Sequence, residues 1–257
     1  VLPKVLEDDL EDLPSAGVRI AKPEGDHAKV TKHDQWKKAV HGYLASVAFA
    51  DEQVGRVLDA LRKSPRAKDT IVVFLSDNGP EPLTKESKAD PFRGRKWSAL
   101  EGGTRVPCMV RYPGFIKPGR ESAALISAID LLPTLAHACG IDLRKHSKDS
   151  PVIDGLNVWP TLRGKEGIPH PRQDLLYWHG GDGFQAIRMG SWKLFPDRRH
   201  AGLKGAPGPA LFNLEKDIEE KIDVSMDHPE RVSTLQKLAE RRLSGIEKNK
   251  VALGQAK

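Results

Sequence analysis

Ser76-Asp77-Asn78-Gly79 follow directly on the apolar run Thr70-Ile71-Val72-Val73-Phe74-Leu75, so an acid and an amide stand together where a strand stops. A carboxylate and an amide oxygen are the hard ligands that calcium or magnesium takes, and Gly79 lets the chain turn away sharply behind them. In a parallel sheet the C-terminal edge of a strand is where ligands bind. Taken alone, the same four residues also make an ordinary Asx turn. Further along, Lys96 stands five residues before Glu101-Gly102-Gly103 within Gly94-Arg95-Lys96-Trp97-Ser98-Ala99-Leu100-Glu101-Gly102-Gly103-Thr104-Arg105-Val106-Pro107. A lysine suits charge developing on a bound oxyanion, although beside Arg93 and Arg95 it also reads as one exposed cation of a basic loop. The nine histidines include no i, i+4 pair of the HExxH kind, so a zinc enzyme of that type finds no support. His179, in a Gly-rich loop, reads as a loop histidine rather than a substrate contact.

Positioning these groups requires a scaffold, and the hydrophobic pattern supplies one. Trp36, Val40, Tyr43, Leu44, Val47, Asp51, Val54, Leu58 and Leu61 recur at three- and four-residue steps, which predicts a long amphipathic helix ending near Ser64-Pro65. Asp51 falls on its apolar face and is expected to be a buried, hydrogen-bonded carboxylate. The run 70–76 is apolar on both faces, as strands of covered parallel sheets are. Helix, short loop and strand then make the second half of a βαβ unit in an α/β domain. Residues 106–112 predict another strand, stopped by Pro113-Gly114. Residues 123–139 are helical in composition, with Pro133 kinking or restarting the helix and Gly140 stopping it. The first 33 residues, rich in Pro, Gly, Asp and Lys, read as an extended segment.

A connection over residues 141–170 separates this part from a smaller one. There, short apolar segments at 175–178, 185–188, 192–195 and 210–214 predict antiparallel pairing, followed by a helix over 229–246. The expected organisation is a large α/β portion over 1–167 and a small antiparallel-sheet subdomain with a terminal helix over 168–257.

Bulk properties set limits. At 257 residues, 39% hydrophobic and 30% charged, the chain can bury a sizeable core and is neither disordered nor membrane-spanning in composition; no apolar run approaches the roughly 18 residues a bilayer span needs. A formal charge of +6 would suit an anionic partner, but the basic residues are dispersed among 35 acidic ones, without the aromatic-interleaved stripe that reads nucleic acid. Cys108 and Cys139 sit among apolar neighbours and are expected to be buried free thiols, a disulfide between them staying open. The chain opens on Val1 without Met or a basic-then-apolar leader, and is expected to begin inside a longer gene product.

Together the motifs resemble the sulfatase family, the formylglycine-dependent type. Tyr43-Leu44-Ala45-Ser46-Val47 with Asp51-Glu52-Gln53-Val54-Gly55-Arg56-Val57-Leu58, the strand into Ser76-Asp77-Asn78-Gly79, and Lys96 before Glu101-Gly102-Gly103 carry the resemblance in order and spacing. Ile187-Arg188-Met189-Gly190-Ser191-Trp192-Lys193-Leu194 and Leu211-Phe212-Asn213-Leu214-Glu215-Lys216-Asp217 extend it to the family's C-terminal subdomain. The resemblance implies the C-terminal part of an alkaline phosphatase-like, mixed or parallel-sheet sandwich. It makes Asp77 and Asn78 two ligands of a divalent cation, Ca2+ or, as an option, Mg2+, and makes Lys96 the catalytic contact to a sulfate oxygen. Arg105 is assigned a bracing role. The implied partner is a sulfated small molecule or glycan, with no nucleic acid and no membrane, and the implied location is periplasmic or secreted.

The family's acidic metal pair and its Cys/Ser-x-Pro/Ala-x-x-Arg motif, the source of formylglycine, have no counterpart among these residues. The nucleophile is therefore expected upstream, with the full-length protein a sulfuric ester hydrolase and this chain alone inactive. A phosphatase or phosphonate hydrolase of the same superfamily, and a non-catalytic truncated paralogue binding anionic glycans, are the alternatives.

Overall fold

The computed structural model describes residues 26–81, 89–143, 152–165, 167–179 and 183–250. Two compact units emerge, and they interleave in sequence. The first gathers the described residues up to Gly114 with Arg199–Ala206 and Ile218–Glu220; the second gathers those of Phe115–Arg198 and Pro207–Asp217 and those from Lys221 onward. Among the described residues no helix is long and apolar enough to cross a membrane.

In the first unit, α1 covers Asp26–Lys32. The extended reading of the opening residues fails for this stretch and lies outside the described residues for 1–25. Local closure explains the helix: the Gln35 N–H reaches the Val30 carbonyl at 2.9 Å, and the Trp36 indole donates to the Thr31 hydroxyl at 3.1 Å. Helix α2 follows over Trp36–Lys63 and stops at Ser64, whose N–H turns back to the Leu61 carbonyl. Its end is as the sequence predicts, but its burial is not. No residue of α2 is buried; Tyr43 is 69% exposed and Phe49 65%. Asp51 is exposed too, so its expected burial is corrected: the periodicity identified an apolar face, and no described residue covers it.

Strand β1, Val72–Leu75, pairs with β2, Cys108–Arg111, with Val72 opposite Arg111 and Leu75 opposite Cys108. Helix α3, Glu101–Thr104, lies between them in sequence. The β1–β2 pairing is antiparallel, so the parallel sheet expected for β1 is not formed among the described residues. Phe74 remains 48% exposed: the apolar run anticipated neighbours on both faces that these residues do not provide. The expectation for the cysteines is also corrected. Cys108 and Cys139 are free and exposed, because β2 is covered on neither side at Cys108 and Cys139 lies at a helix end.

In the second unit a single turn of 3-10 helix, Ala128–Asp130, leads into α4, Leu131–Ala138. Pro133 sits in the first turn of α4, where its missing N–H is harmless, and Gly140 closes the helix at φ +74°. Helix α5 covers Trp159–Arg163. Strands β3 (Asp174–His179), β4 (Gly183–Met189), β5 (Trp192–Phe195) and β6 (Ala210–Asn213) form an antiparallel meander in that order. Helix α6, Pro229–Asn249, lays Val232, Leu235, Leu238 and Ala239 against Ile187, Leu194 and Leu211 of the sheet. Each fully buried leucine there contributes about 1.5–3 kcal/mol.

Asp130 ties this unit together. Its carboxylate is fully buried and takes a two-pronged bond from the Arg172 guanidinium, 2.7 Å from Nε and 2.5 Å from Nη2. The Leu156 and Ser127 N–H groups complete its coordination. Burial alone would push this carboxyl up, but Arg172 and the two amides hold it below the ordinary carboxylate range. Its stabilisation is therefore complete above the ordinary Asp value and is lost as pH falls through the lowered folded value. Asp130→Asn leaves the Arg172 charge buried without its counterion and should cost about 3–5 kcal/mol. Urea denaturation between about pH 3 and pH 7 checks both effects: the variant's stability should fall less steeply with acid than the wild type's.

Candidate active site

The first unit builds its candidate site from two backbone segments that grip each other. Beyond β1, the Ser76 N–H reaches the Pro107 carbonyl at 3.4 Å and the Gly79 N–H reaches the Gly103 carbonyl at 3.0 Å. Inside the turn, the Ser76 hydroxyl donates to the Asn78 carbonyl at 2.9 Å. The Asn78 amide nitrogen donates to the Gly79 carbonyl at 3.1 Å, so of the two amide atoms the oxygen is the one that could ligate a cation. Asp77 is exposed and Asn78 half-buried. An outward carboxylate and an oriented amide oxygen suit a hard divalent cation. Among the described residues no group of three or more His, Cys, Asp or Glu could hold a metal ion.

The second segment is the loop from Phe92 to Arg105. Its N–H groups turn inward: Lys96 bonds to the Pro80 carbonyl at 3.0 Å, Gly102 to Arg93 at 2.7 Å and Gly103 to Leu100 at 3.0 Å. Arg95, Ser98, Ala99, Leu100 and Glu101 are buried. Glycine is required where the strands of this knot touch. A Cβ on Gly79 would lie 1.8 Å from the Gly102 carbonyl oxygen, and one on Gly102 would lie 2.2 Å from that of Gly94. The Glu101-Gly102-Gly103 spacing is therefore a packing constraint that sets where Lys96 leaves the loop.

Lys96 projects from that loop and forms an ion pair with Glu81 at 2.7 Å; its ammonium also lies 5.3 Å from the centre of the Trp97 ring. The hydrogen bond that Lys96 donates to Glu81, helped by the negative charges of Glu81 and Asp77, holds the Lys96 ammonium above the ordinary lysine value. Lys96 is thus a permanent cation within the field of Asp77. Arg105 bonds Glu101 at 3.5 Å and stacks 4.8 Å from the centre of the Phe92 ring, a bracing position. An open depression of about 590 Å³ lies between Asn78, Phe92, Arg105 and Pro107.

The turn residues and Lys96 are thus brought to one region of the unit. His179 ends β3 and pairs with Gly183, belonging to the second unit. Glu81 escaped sequence reasoning, because a single acid two residues beyond the Ser76-Asp77-Asn78-Gly79 turn forms no pattern.

Comparison with known proteins identifies the family of the chain. Residues 14–141 match the family model described as Sulfatase. Steryl-sulfatase of Mus musculus is 35% identical over 216 residues, covering 72% of this chain and 34% of that protein. N-acetylgalactosamine-6-O-sulfatase of Bacteroides thetaiotaomicron is 29% identical over 209 residues, covering 74% and 39%. The solved structure of Ps i-CgsB in complex with k-i-k-neocarrahexaose superposes with a TM-score of 0.59 at 32% identity, over 74% of this chain and 40% of that one. The fold is alkaline phosphatase-like, as in its structural neighbours. It belongs to the sulfatase family. The chain spans 34% to 39% of the length of the curated relatives named above.

Gly102→Ala should displace the loop, since backbone rather than a flexible side chain blocks the new methyl. The expected loss is about 3 kcal/mol, at the upper end for overpacking, with faster proteolytic cleavage between Phe92 and Arg105. Wild-type cleavage rates in this variant would contradict the packing argument.

Proposed function

We propose that this chain is part of a sulfuric ester hydrolase in which Asp77 and Asn78 bind an active-site divalent cation and Lys96 contacts a sulfate oxygen. The observation that carries the reading is the backbone bonding of Gly79 to Gly103 and of Lys96 to Pro80, which joins the turn of Asp77 and Asn78 to the loop of Lys96. Calcium fits the carboxylate-plus-amide pair, and magnesium is the second choice. Bound there, the cation would neutralise charge on the sulfate.

Each residue then has a defined task. Asp77 supplies an anionic ligand oxygen, and Asn78 a neutral one whose direction is set by its own bond to Gly79. Lys96 exchanges Glu81 for a sulfate oxygen and stabilises the charge that grows there as the ester bond breaks. A formylglycine upstream of this chain would supply, as its hydrated aldehyde, the nucleophile that attacks sulfur. The apolar face of α2, with Tyr43, Leu44 and Val47 exposed, supports a longer polypeptide whose remaining part covers it. In that polypeptide residues 1–167 complete the large α/β domain and 168–257 form the small antiparallel-sheet subdomain.

For substrate we favour a sulfated carbohydrate. One relative is named for N-acetylgalactosamine 6-O-sulfate, and a structural neighbour at 32% identity was solved with a neocarrahexaose. With such a substrate, we propose a periplasmic or secreted location.

The test is steady-state kinetics of the full-length polypeptide on aryl and carbohydrate sulfates. Lys96→Ala should lower kcat/KM by about 10²–10³, the loss typical of one transition-state charge contact. Asp77→Ala should abolish turnover that calcium restores to chelator-treated wild type. A Lys96→Ala variant within threefold of wild type would sink the assignment.

A further inference from the structure

Glu220 belongs to the first unit although it lies far along the chain. It is fully buried and adopts φ +55°, a left-handed conformation uncommon for glutamate. Its Oε2 accepts the N–H of Glu101 at 2.6 Å across a separation of 119 residues. Its backbone carbonyl accepts the Arg93 guanidinium at 2.5 Å. Arg93 lies three residues before Lys96 and Glu101 five after it, so one residue fastens the Lys96 loop at both ends.

The choice of residue type is informative. A buried carboxylate carries a desolvation cost that an apolar filler would not, and an uncommon backbone conformation adds about 1–3 kcal/mol, persisting only where surrounding structure fixes it. In return a short charge-assisted bond holds the first N–H of α3. The Glu101 side chain is itself buried, 2% exposed, so the amide has no access to water as a substitute partner.

We infer that Glu220 is a positioning residue for Lys96: its carboxylate holds the Glu101 end of the loop so that the lysine stands beside Asp77 and Asn78. This rests on the sulfatase reading for its catalytic purpose and on geometry alone for the clamp. Without the carboxylate, the Glu101 N–H loses its bond to Glu220, the loop opens and the Lys96 ammonium is delivered off target. Misplacement by about 1 Å can cost up to about 10²-fold in rate.

Two measurements test it. Hydrogen exchange on the 257-residue chain should show Glu220→Ala accelerating exchange across residues 93–105 at least tenfold while helix α6 stays protected. Glu220→Gln, which keeps an acceptor oxygen for the Glu101 N–H, should stay close to wild type. Unchanged exchange in the Ala variant, or equal acceleration everywhere, would overturn the clamp. In the full-length enzyme, Glu220→Ala should lower kcat/KM by about 10- to 10²-fold, and Lys96→Ala/Glu220→Ala should be no slower than Lys96→Ala, because both act through one group. Effects that multiply would overturn the positioning role. Absence of any sulfate-ester turnover by wild type would instead remove the sulfatase reading and the catalytic purpose with it, while loop exchange still decides whether Glu220 holds the loop.

Discussion

The hydrogen bond from the Gly79 N–H to the Gly103 carbonyl is the contact on which the site depends. It joins the turn after β1 to the loop that carries Lys96, and it forms only because no side chain intervenes. Gly79 and Gly102 meet so closely that any Cβ on Gly79 would overlap the Gly102 carbonyl oxygen. Once the segments are joined, the rest is fixed by short links: Asp77 and Asn78 leave on one side, and Lys96, held by Pro80 through its own N–H, leaves toward Glu81. The ligand and oxyanion roles proposed for these residues would therefore be coupled through backbone packing rather than through a direct side-chain contact.

The C-terminal region does more than append a sheet. Residues Ile218–Glu220 return to the first unit, and Glu220 fastens the Lys96 loop from there. Within the second unit, Asp130 and Arg172 bring together three stretches of chain, those of Ser127, Leu156 and Arg172. Lys193 of β5 is wholly buried with its ammonium 4.4 Å from the centre of the Tyr177 ring. Both units thus spend buried charge on fixing loops whose apolar content would not fix them, at sites where removing one partner is expensive.

Much of this was legible in sequence because it is local. The end of α2 at Ser64, the meander from β3 to β6, the helix that packs on it and the turn after β1 each follow from periodicity or turn chemistry over a few residues. The Glu101-Gly102-Gly103 spacing that accompanies Lys96 in the sequence is a packing requirement. What failed were the inferences about what covers α2, β1 and β2. Apolar periodicity in α2 and β1 marks faces to be covered without saying what covers them, so Asp51 and Cys108 were expected inside and are exposed, and β1 was expected in a parallel sheet and pairs antiparallel. Helix α1 was missed because its cohesion comes from Gln35 and Trp36 beyond its end. Glu81 and Glu220 left no signal, since a single acid at long range has no period and no motif.

The most direct measurement is a crystal structure of the full-length polypeptide with calcium and inorganic sulfate. The account requires an Asp77 carboxylate oxygen and the Asn78 amide oxygen about 2.3–2.6 Å from the cation, with the Lys96 ammonium moved from Glu81 to a sulfate oxygen and the Gly79–Gly103 bond intact. A cation bound elsewhere, or a sulfate bound while Lys96 remains on Glu81, would contradict it.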